Sequence, residues 1–487
     1  MFSRLAMLTS WFATRRLIAV LAWLLISATA FAQTSRDTVV ELTATTSASV
    51  PYVTLNWNSA ASVTAQQFWR RVKGSTSWGS ATALAAGDIS YADNSALPGV
   101  TYEYSFQRTL SVAPTNAYGA IVAGYQVPLV EQRGKVILLV DNTMSATLAP
   151  ELTLLERNLA GDGWTVFRHD VARSAVSPAS SATTDYAPRL AEVQAIRAIV
   201  QADYNTAPGT DWALLIVGRV PVPYSGQIAP DGHGDHVGAW PTDSYYADIN
   251  GTWPDTSVDN SSTTLSDLRN RNVPGDGRFD PSSLPTDVEI QTGRVDMLNM
   301  PSVPAGYTET TLLRQYLSRD HQFRRSLGPY ASVQRRAIVD DNFGYFGGEA
   351  FAASGYRNAI GFFGRNSGQV DALDWFGTLG SLPVLFAYGC GGGSFTSAGG
   401  IGNSTYDFSR RDSKAVFTML FGSYFGDWDA TNNFLRGPIA GTQDSLGLAC
   451  MWSGRGYFHL HHMALGEVIG YGVRYSQNNN ESTFSGG

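Results

Sequence analysis

Residues 134–143, GKVILLVDNT, carry five consecutive aliphatic side chains from Val136 to Val140. A strand with one wet face alternates apolar and polar residues. A strand that is apolar throughout is covered on both faces, as in a parallel sheet with crossover helices above and below it. The residues downstream fit that demand. Leu152, Leu155 and Leu159 recur at helical spacing with Gly161 as a stop, WTVFRHDV reads as the next strand, APRLAEVQAIRAIVQADY as an amphipathic helix and DWALLIVGRVPVPY as a third strand. Further on, VQRRAIVDDNF, LPVLFAYGC and KAVFTMLFGSYFGDW read as strands, and NAIGFFGRN as a weaker one. The pattern predicts an α/β domain with a mainly parallel sheet over 134–475, its second half a further sheet or a continuation of the first.

Residues 37–127 obey a different rule. YVTLNWN, QQFWRRVKG and TYEYSFQR alternate apolar and polar residues between short turn clusters, which predicts an all-β sandwich. Trp57 in an early strand, and Leu97-Pro98-Gly99 ahead of Tyr102 and Tyr104, resemble the marks of a fibronectin type III domain.

The first 32 residues have the three-part layout of a secretory signal peptide. Arg4, Arg15 and Arg16 precede the apolar run Leu17 to Ile26, and Ala30-Phe31-Ala32 offers a cleavage site after Ala32. A secreted or extracytoplasmic protein is expected, with no membrane association beyond export. The net charge of −7 argues against nucleic acid as a partner. Two cysteines, Cys390 and Cys450, are too few for a disulfide framework, although they could pair with each other. Oligomeric state is not legible.

The stretch 225–305 is rich in Gly, Pro, Asp, Asn and Ser, and reads as a long loop region. Within it, Asn272, Asp276 and Asp280 fall at positions one, five and nine of a calcium-loop-like spacing, with Gly277 at six. No acid stands at position three and no Glu at twelve. These residues are the metal candidate, with Ca2+ as the ion; the alternative is a solvated Asx-turn, and no cofactor is required.

Cys390 ends the apolar strand LPVLFAYGC and is followed by Gly391, Gly392 and Gly393. Ligands on open α/β sheets bind beyond the carboxyl ends of strands. A glycine run there lets backbone amides approach a reacting group, as an oxyanion hole requires. The pattern nominates Cys390 as a nucleophile.

Three stretches resemble the gingipain family of cysteine peptidases, whose fold is caspase-like. They are TDSYYADINGTW followed by DVEIQTGRVDM, then LPVLFAYGC, then SKAVFTMLFGSYF. The resemblance implies a secreted cysteine peptidase acting on protein or peptide through the Cys390 thiolate, with the amides of Gly391 and Gly392 as oxyanion donors. It also implies a Gly-His-Gly at the end of the preceding strand, with His as general base. Here that place reads Gly364-Arg365-Asn366. Arg365 can favour a thiolate but cannot pass a proton to a leaving amine. His233 and His236 in DGHGDH are candidates for a displaced base, as are His459, His461 and His462; His233 and His236 could also pair on a metal. Two other classes stay open. One is an inactive pseudopeptidase serving as a binding or scaffold protein. The other is a carboxylate enzyme acting on polysaccharide, for which Asp340-Asp341 supply acids without an established pairing.

Overall fold

The computed structural model describes residues 34–174, 190–300, 303–346, 349–452 and 458–479. The signal peptide expected over 1–32 lies outside the described residues. From Ser35 onward the chain forms one compact unit.

Strands β1 (Thr43–Thr46), β2 (Val53–Asn56) and β5 (Ser90–Asp93) make one antiparallel sheet. Strands β3 (Val63–Val72), β4 (Thr82–Leu84), β6 (Tyr102–Leu110) and β7 (Asn116–Ala123) make a second, in the order β4-β3-β6-β7. Val53, Leu55 and Trp57 from one sheet share a core with Phe68, Tyr104, Phe106 and Ile121 from the other, so this part is an all-β sandwich.

The apolar run at 134 does form a strand covered on both faces. Strands β8 (Gly134–Asp141), β9 (Trp164–Val171), β10 (Trp212–Val217) and β13 (Ile290–Val295) build an all-parallel sheet in the order β13-β10-β8-β9. Along β8, Val136, Leu138 and Val140 face helices α1 (Ala149–Gly161) and α3 (Glu309–Arg324), while Ile137 and Leu139 face helix α2 (Leu190–Tyr204). Pro150 sits in the first turn of α1, and Thr308 caps α3 through a reciprocal pair with Thr311.

The second half is a separate sheet rather than a continuation. Strands β14 (Gln334–Asp341), β15 (Val370–Ala372), β16 (Val384–Cys390), β19 (Ala415–Phe421) and β20 (Ala449–Trp452) lie parallel in the order β15-β14-β16-β19-β20. Between β16 and β19 the chain makes a short antiparallel pair, β17 (Gly393–Ser394) against β18 (Ser397–Ala398). Helix α4 (Ala353–Phe363) covers one face of the large sheet and α5 (Trp375–Leu379) the other. The sequence reading of NAIGFFGRN as a strand is corrected here, because Asn358–Phe363 lie in α4. Every residue from Ala353 to Ile360 is buried, the polar Ser354, Arg357 and Asn358 included, and the strand reading took only the second half of the helix, a run too short to show a helical period.

The stretch 225–305 is not one loose loop. It contributes β13 to the first sheet, and strands β11 (Tyr224–Ile228) and β12 (Gly238–Pro241) pair antiparallel across the connection 229–237. That connection carries His233 and His236.

Candidate functional site

Cys390 ends β16 as expected, but its thiol faces the core. It is 0% exposed among Phe386, Tyr388, Met419 and Phe421. Its Sγ donates to Asp341 Oδ1 at 3.3 Å. Burial, and then the adjacent Asp341 charge, push the thiol pKa well above its ordinary range. A nucleophilic thiol must be ionised and reachable, and this one is neither. The nomination of Cys390 is therefore corrected: it packs the sheet. Cys390 and Cys450 are both free, so no disulfide joins them.

A more accessible hydroxyl follows the neighbouring strand. In the sheet, β19 lies beside β16 with Phe421 opposite Cys390. Six residues of the run AVFTMLF are buried, which carries β19 to the same edge of the sheet. Gly422 follows, and then Ser423, which is half-buried. The chain turns at once: Tyr424 holds φ at +68°, and the amide of Phe425 donates to Ser423 O at 2.9 Å. This is a γ-turn in its strained form, and a non-glycine residue held there costs on the order of 1–3 kcal/mol. Such strain accumulates where a side chain must be presented.

Ser423 Oγ lies 2.7 Å from His233 Nε2. His233 is half-buried and comes from the β11–β12 connection, and its ring stacks on Tyr424 with centroids 4.9 Å apart and planes 18° apart. With the ring proton on Nδ1, Nε2 accepts from the Ser423 hydroxyl. A nucleophile and base in hydrogen-bond contact at a strand's carboxyl end are the working parts of covalent acyl transfer.

The glycine run serves this serine. A Cβ on Gly393 would sit 2.4 Å from both N and O of Ser423, so only glycine allows the approach. The amide of Gly391 donates to Phe421 O at 3.1 Å and is consumed, which corrects its assignment as an oxyanion donor. Among the described residues, the amides of Gly392 and Ser423 have no acceptor.

Beneath the pair lies a buried network of charges. His236 Nδ1 meets Asp231 Oδ2 at 2.7 Å, and its Nε2 faces Asp427 Oδ2 at 3.5 Å. Burial pushes the His236 imidazole down, but the two carboxylates outweigh it and raise its pKa to about 9. Asp427 also pairs with Arg269, whose Nη1 donates to Asp429 Oδ1 at 2.8 Å. Arg219 continues the chain to Asp296 at 3.0 Å. These pairs tie the 229–237 connection to Arg269 and to the residues 427–429 that follow Ser423.

The other nominated residues lie elsewhere. Arg365 falls between α4 and the first residue of β15, at the amino-terminal edge of a parallel sheet whose opposite edge holds Cys390. It therefore does not occupy a base position beside the thiol. Asn272 Nδ2 donates to the carbonyls of Gly226 and Phe279, and Asp276 pairs with Arg278. Asp280 collects the amides of Thr256, Ser257 and Val258. The three calcium candidates thus serve three different partners. Asp340 binds the amide of Trp375 and the side chain of Asn342, with burial first among the causes that raise its pKa to about 6. His461 and His462 converge instead on Glu103 of β6, at 2.6 and 2.9 Å. The carboxylate's second oxygen takes Arg71 at 2.8 Å and Tyr475 at 3.0 Å. That cluster joins the sandwich to the α/β part, but both ring nitrogens of His462 lack a hydrogen-bond partner, and Glu103, His461 and His462 stand close enough together to hold a metal ion; His459 is buried beside it.

Sequence reading missed Ser423 and Asp231. The available signals were the Gly422-Ser423 step straight after a buried strand, and the Asp-Gly-His of 231–233.

No family model and no curated protein matches the chain. Among solved structures, one described as "Structure of Protease" is similar at 12% identity with a TM-score of 0.38, over 66% of this chain and 59% of that one. The Arg-specific cysteine proteinase gingipain R is similar at 14% identity with a TM-score of 0.35, over 65% of this chain and 61% of its own. The chain spans less than two thirds of the length of either. No helix among the described residues is long and apolar enough to cross a membrane.

Proposed function

We propose that this chain is a secreted, gingipain-like peptidase of caspase-like fold that works through Ser423 and His233 instead of a cysteine. The observation that carries the reading is the 2.7 Å contact between Ser423 Oγ and His233 Nε2 at the carboxyl end of β19. The sequence likeness is better satisfied when moved by one strand. Gly389-Cys390-Gly391 then stands where the resemblance calls for Gly-His-Gly, and Ser423 stands at the end of the nucleophile's strand. Gly232-His233-Gly234 supplies the missing imidazole from the β11–β12 connection.

The chemistry follows from the atoms. Ser423 Oγ attacks the substrate carbonyl carbon while its proton passes to His233 Nε2. The oxyanion formed accepts from the amides of Gly392 and Ser423. Collapse of the intermediate breaks the amide bond, and the imidazolium returns its proton to the leaving nitrogen. Water then attacks the acyl-enzyme by the reverse proton path and frees Ser423. The amino-terminal sandwich, taken as fibronectin type III-like, is joined to the α/β part at Glu103.

The test is turnover of peptide-amide substrates by the full chain. Activity lost in Ser423→Ala and His233→Ala but kept in Cys390→Ala supports the reading. Activity lost in Cys390→Ala and kept in Ser423→Ala sinks it. No turnover with any peptide or ester, and no labelling of Ser423 by a fluorophosphonate, would make the chain an inactive scaffold.

A further inference from the structure

Ser423 and His233 sit on different elements, 190 positions apart, and each is half-exposed. Their single hydrogen bond is too weak to order both loops, so something else must hold them. Asp231 meets that need. Its Oδ1 accepts the amide of His233 at 3.3 Å, and its Oδ2 accepts the amide of Tyr424 at 2.9 Å. Tyr424 directly follows Ser423 and occupies the strained turn, so this carboxylate holds one turn on each side of the pair. Asp231 is 4% exposed, and hydrogen bonds to an ionised acceptor are about twice as strong as neutral ones. His236 binds the same Oδ2 and, through Asp427, ties it to the buried charge network.

We propose that Asp231 is a positioning residue that straps the His233 turn to the Ser423 turn and so keeps base and nucleophile in contact. The inference rests on the reading of Ser423 and His233 as the reacting pair. The strap makes no contact with substrate. It acts by removing the relative motion of two loops, where a displacement of about 1 Å lowers rates about 100-fold. The ionisable groups around His233 are Asp231 and Asp235 on its own turn and Tyr424 from the facing one, with His236 behind Asp231.

Two measurements on the full chain test it. One is the kinetics of fluorophosphonate labelling of Ser423, located by mass spectrometry and resolved into rate constant and labelled fraction. The other is hydrogen exchange at residues 232–235 and 423–425. In Asp231→Ala the labelling rate should fall about 10- to 100-fold. A merely loosened fold would lower the labelled fraction without changing the rate constant of the part that labels. Exchange should quicken in the two named segments and stay unchanged in β8 and β16. An unaltered rate in Asp231→Ala overturns the proposal, as does unaltered exchange. If Ser423 in the unmodified chain does not label, the catalytic reading falls, and exchange alone decides whether Asp231 is a strap. Should Asp231→Ala fail to fold, Asp231→Asn keeps the shape and one acceptor. It should label at an intermediate rate, and labelling equal to the unmodified chain would refute the strap.

Discussion

Replacing Gly393 by alanine isolates the role of the glycine run. The new Cβ would lie 2.4 Å from N and O of Ser423 and 2.8 Å from C of Gly422, all of them backbone atoms that cannot rotate away. Ordinary contact begins at 3.4 Å, so the two turns must part by about 1.0 Å. Overpacking of that size typically costs about 1–3 kcal/mol, which an intact fold survives. The same 1 Å removes the near-attack geometry of the serine and should lower its reactivity about 100-fold. Gly392 is the internal control, because a Cβ there meets nothing within 4 Å. The assay is the second-order rate of Ser423 labelling by a fluorophosphonate, measured beside a melting curve for each variant. Gly393→Ala should remain folded and lose about two orders of magnitude in rate, while Gly392→Ala should label nearly normally. Equal rates in Gly393→Ala and the unmodified chain would refute the claim that the glycines exist to approach Ser423. A comparable loss in both variants would show that the loop matters for some other reason.

Three further outcomes are expected. Iodoacetamide at pH 8 should leave Cys390 unmodified in the native chain and alkylate it in denaturant, since the thiol is buried and its pKa lies well above the ordinary range; native alkylation, read by peptide mass spectrometry, would count against the core assignment. Stability should peak near pH 6.5 for two opposed reasons. His236, raised to about 9 from 6.5, contributes fully below pH 6.5 and loses that contribution as pH rises toward 9. His462, where burial and then the His461 charge lower the pKa to about 4 from 6.5, is destabilised as pH falls from 6.5 toward 4. Each shift corresponds to a change on the order of 3 kcal/mol by linkage, so urea unfolding across pH should trace a bell whose acid limb flattens in His462→Phe and whose alkaline limb flattens in His236→Phe. Finally, calcium or a chelator should leave the melting temperature unchanged, because Asn272, Asp276 and Asp280 are committed to separate partners; a calcium-dependent rise would reinstate that site.

How much of the fold was legible depends on the range over which each sequence signal acts. Five aliphatic residues from Val136 to Val140, three of them β-branched, favour a strand covered on both faces, and that strand is where the run places it. The alternation at Thr101–Arg108 also marks a strand, β6, but not a half-buried one: Glu103 and Ser105 on its polar face are buried too, with Glu103 hydrogen-bonded to His461. Asn358–Phe363 reads as a strand only because that window holds six of the helix's residues, too few to show the period that the whole of Ala353–Phe363 carries. The site failed for a different reason. The glycine run was read as serving the residue just before it in the chain, since sequence shows only that adjacency. In the sheet, β16 runs beside β19, and the end of one strand faces the end of the other across a single inter-strand spacing. Gly393 is therefore nearer in consequence to Ser423, thirty positions on, than to Cys390. The same holds for Asp231, His233 and Tyr424, whose contacts cross between two sheets that no local pattern relates. A buried thiol and a presented serine look alike as letters after an apolar run. What separates them is the direction of the side chain at the strand's last residue. Cys390 falls on the face covered by α4, whereas Ser423 lies two residues past the end of β19, where the turn at Tyr424 aims it outward to His233. Chemistry at a sheet edge is thus decided by the residue that has just left the strand.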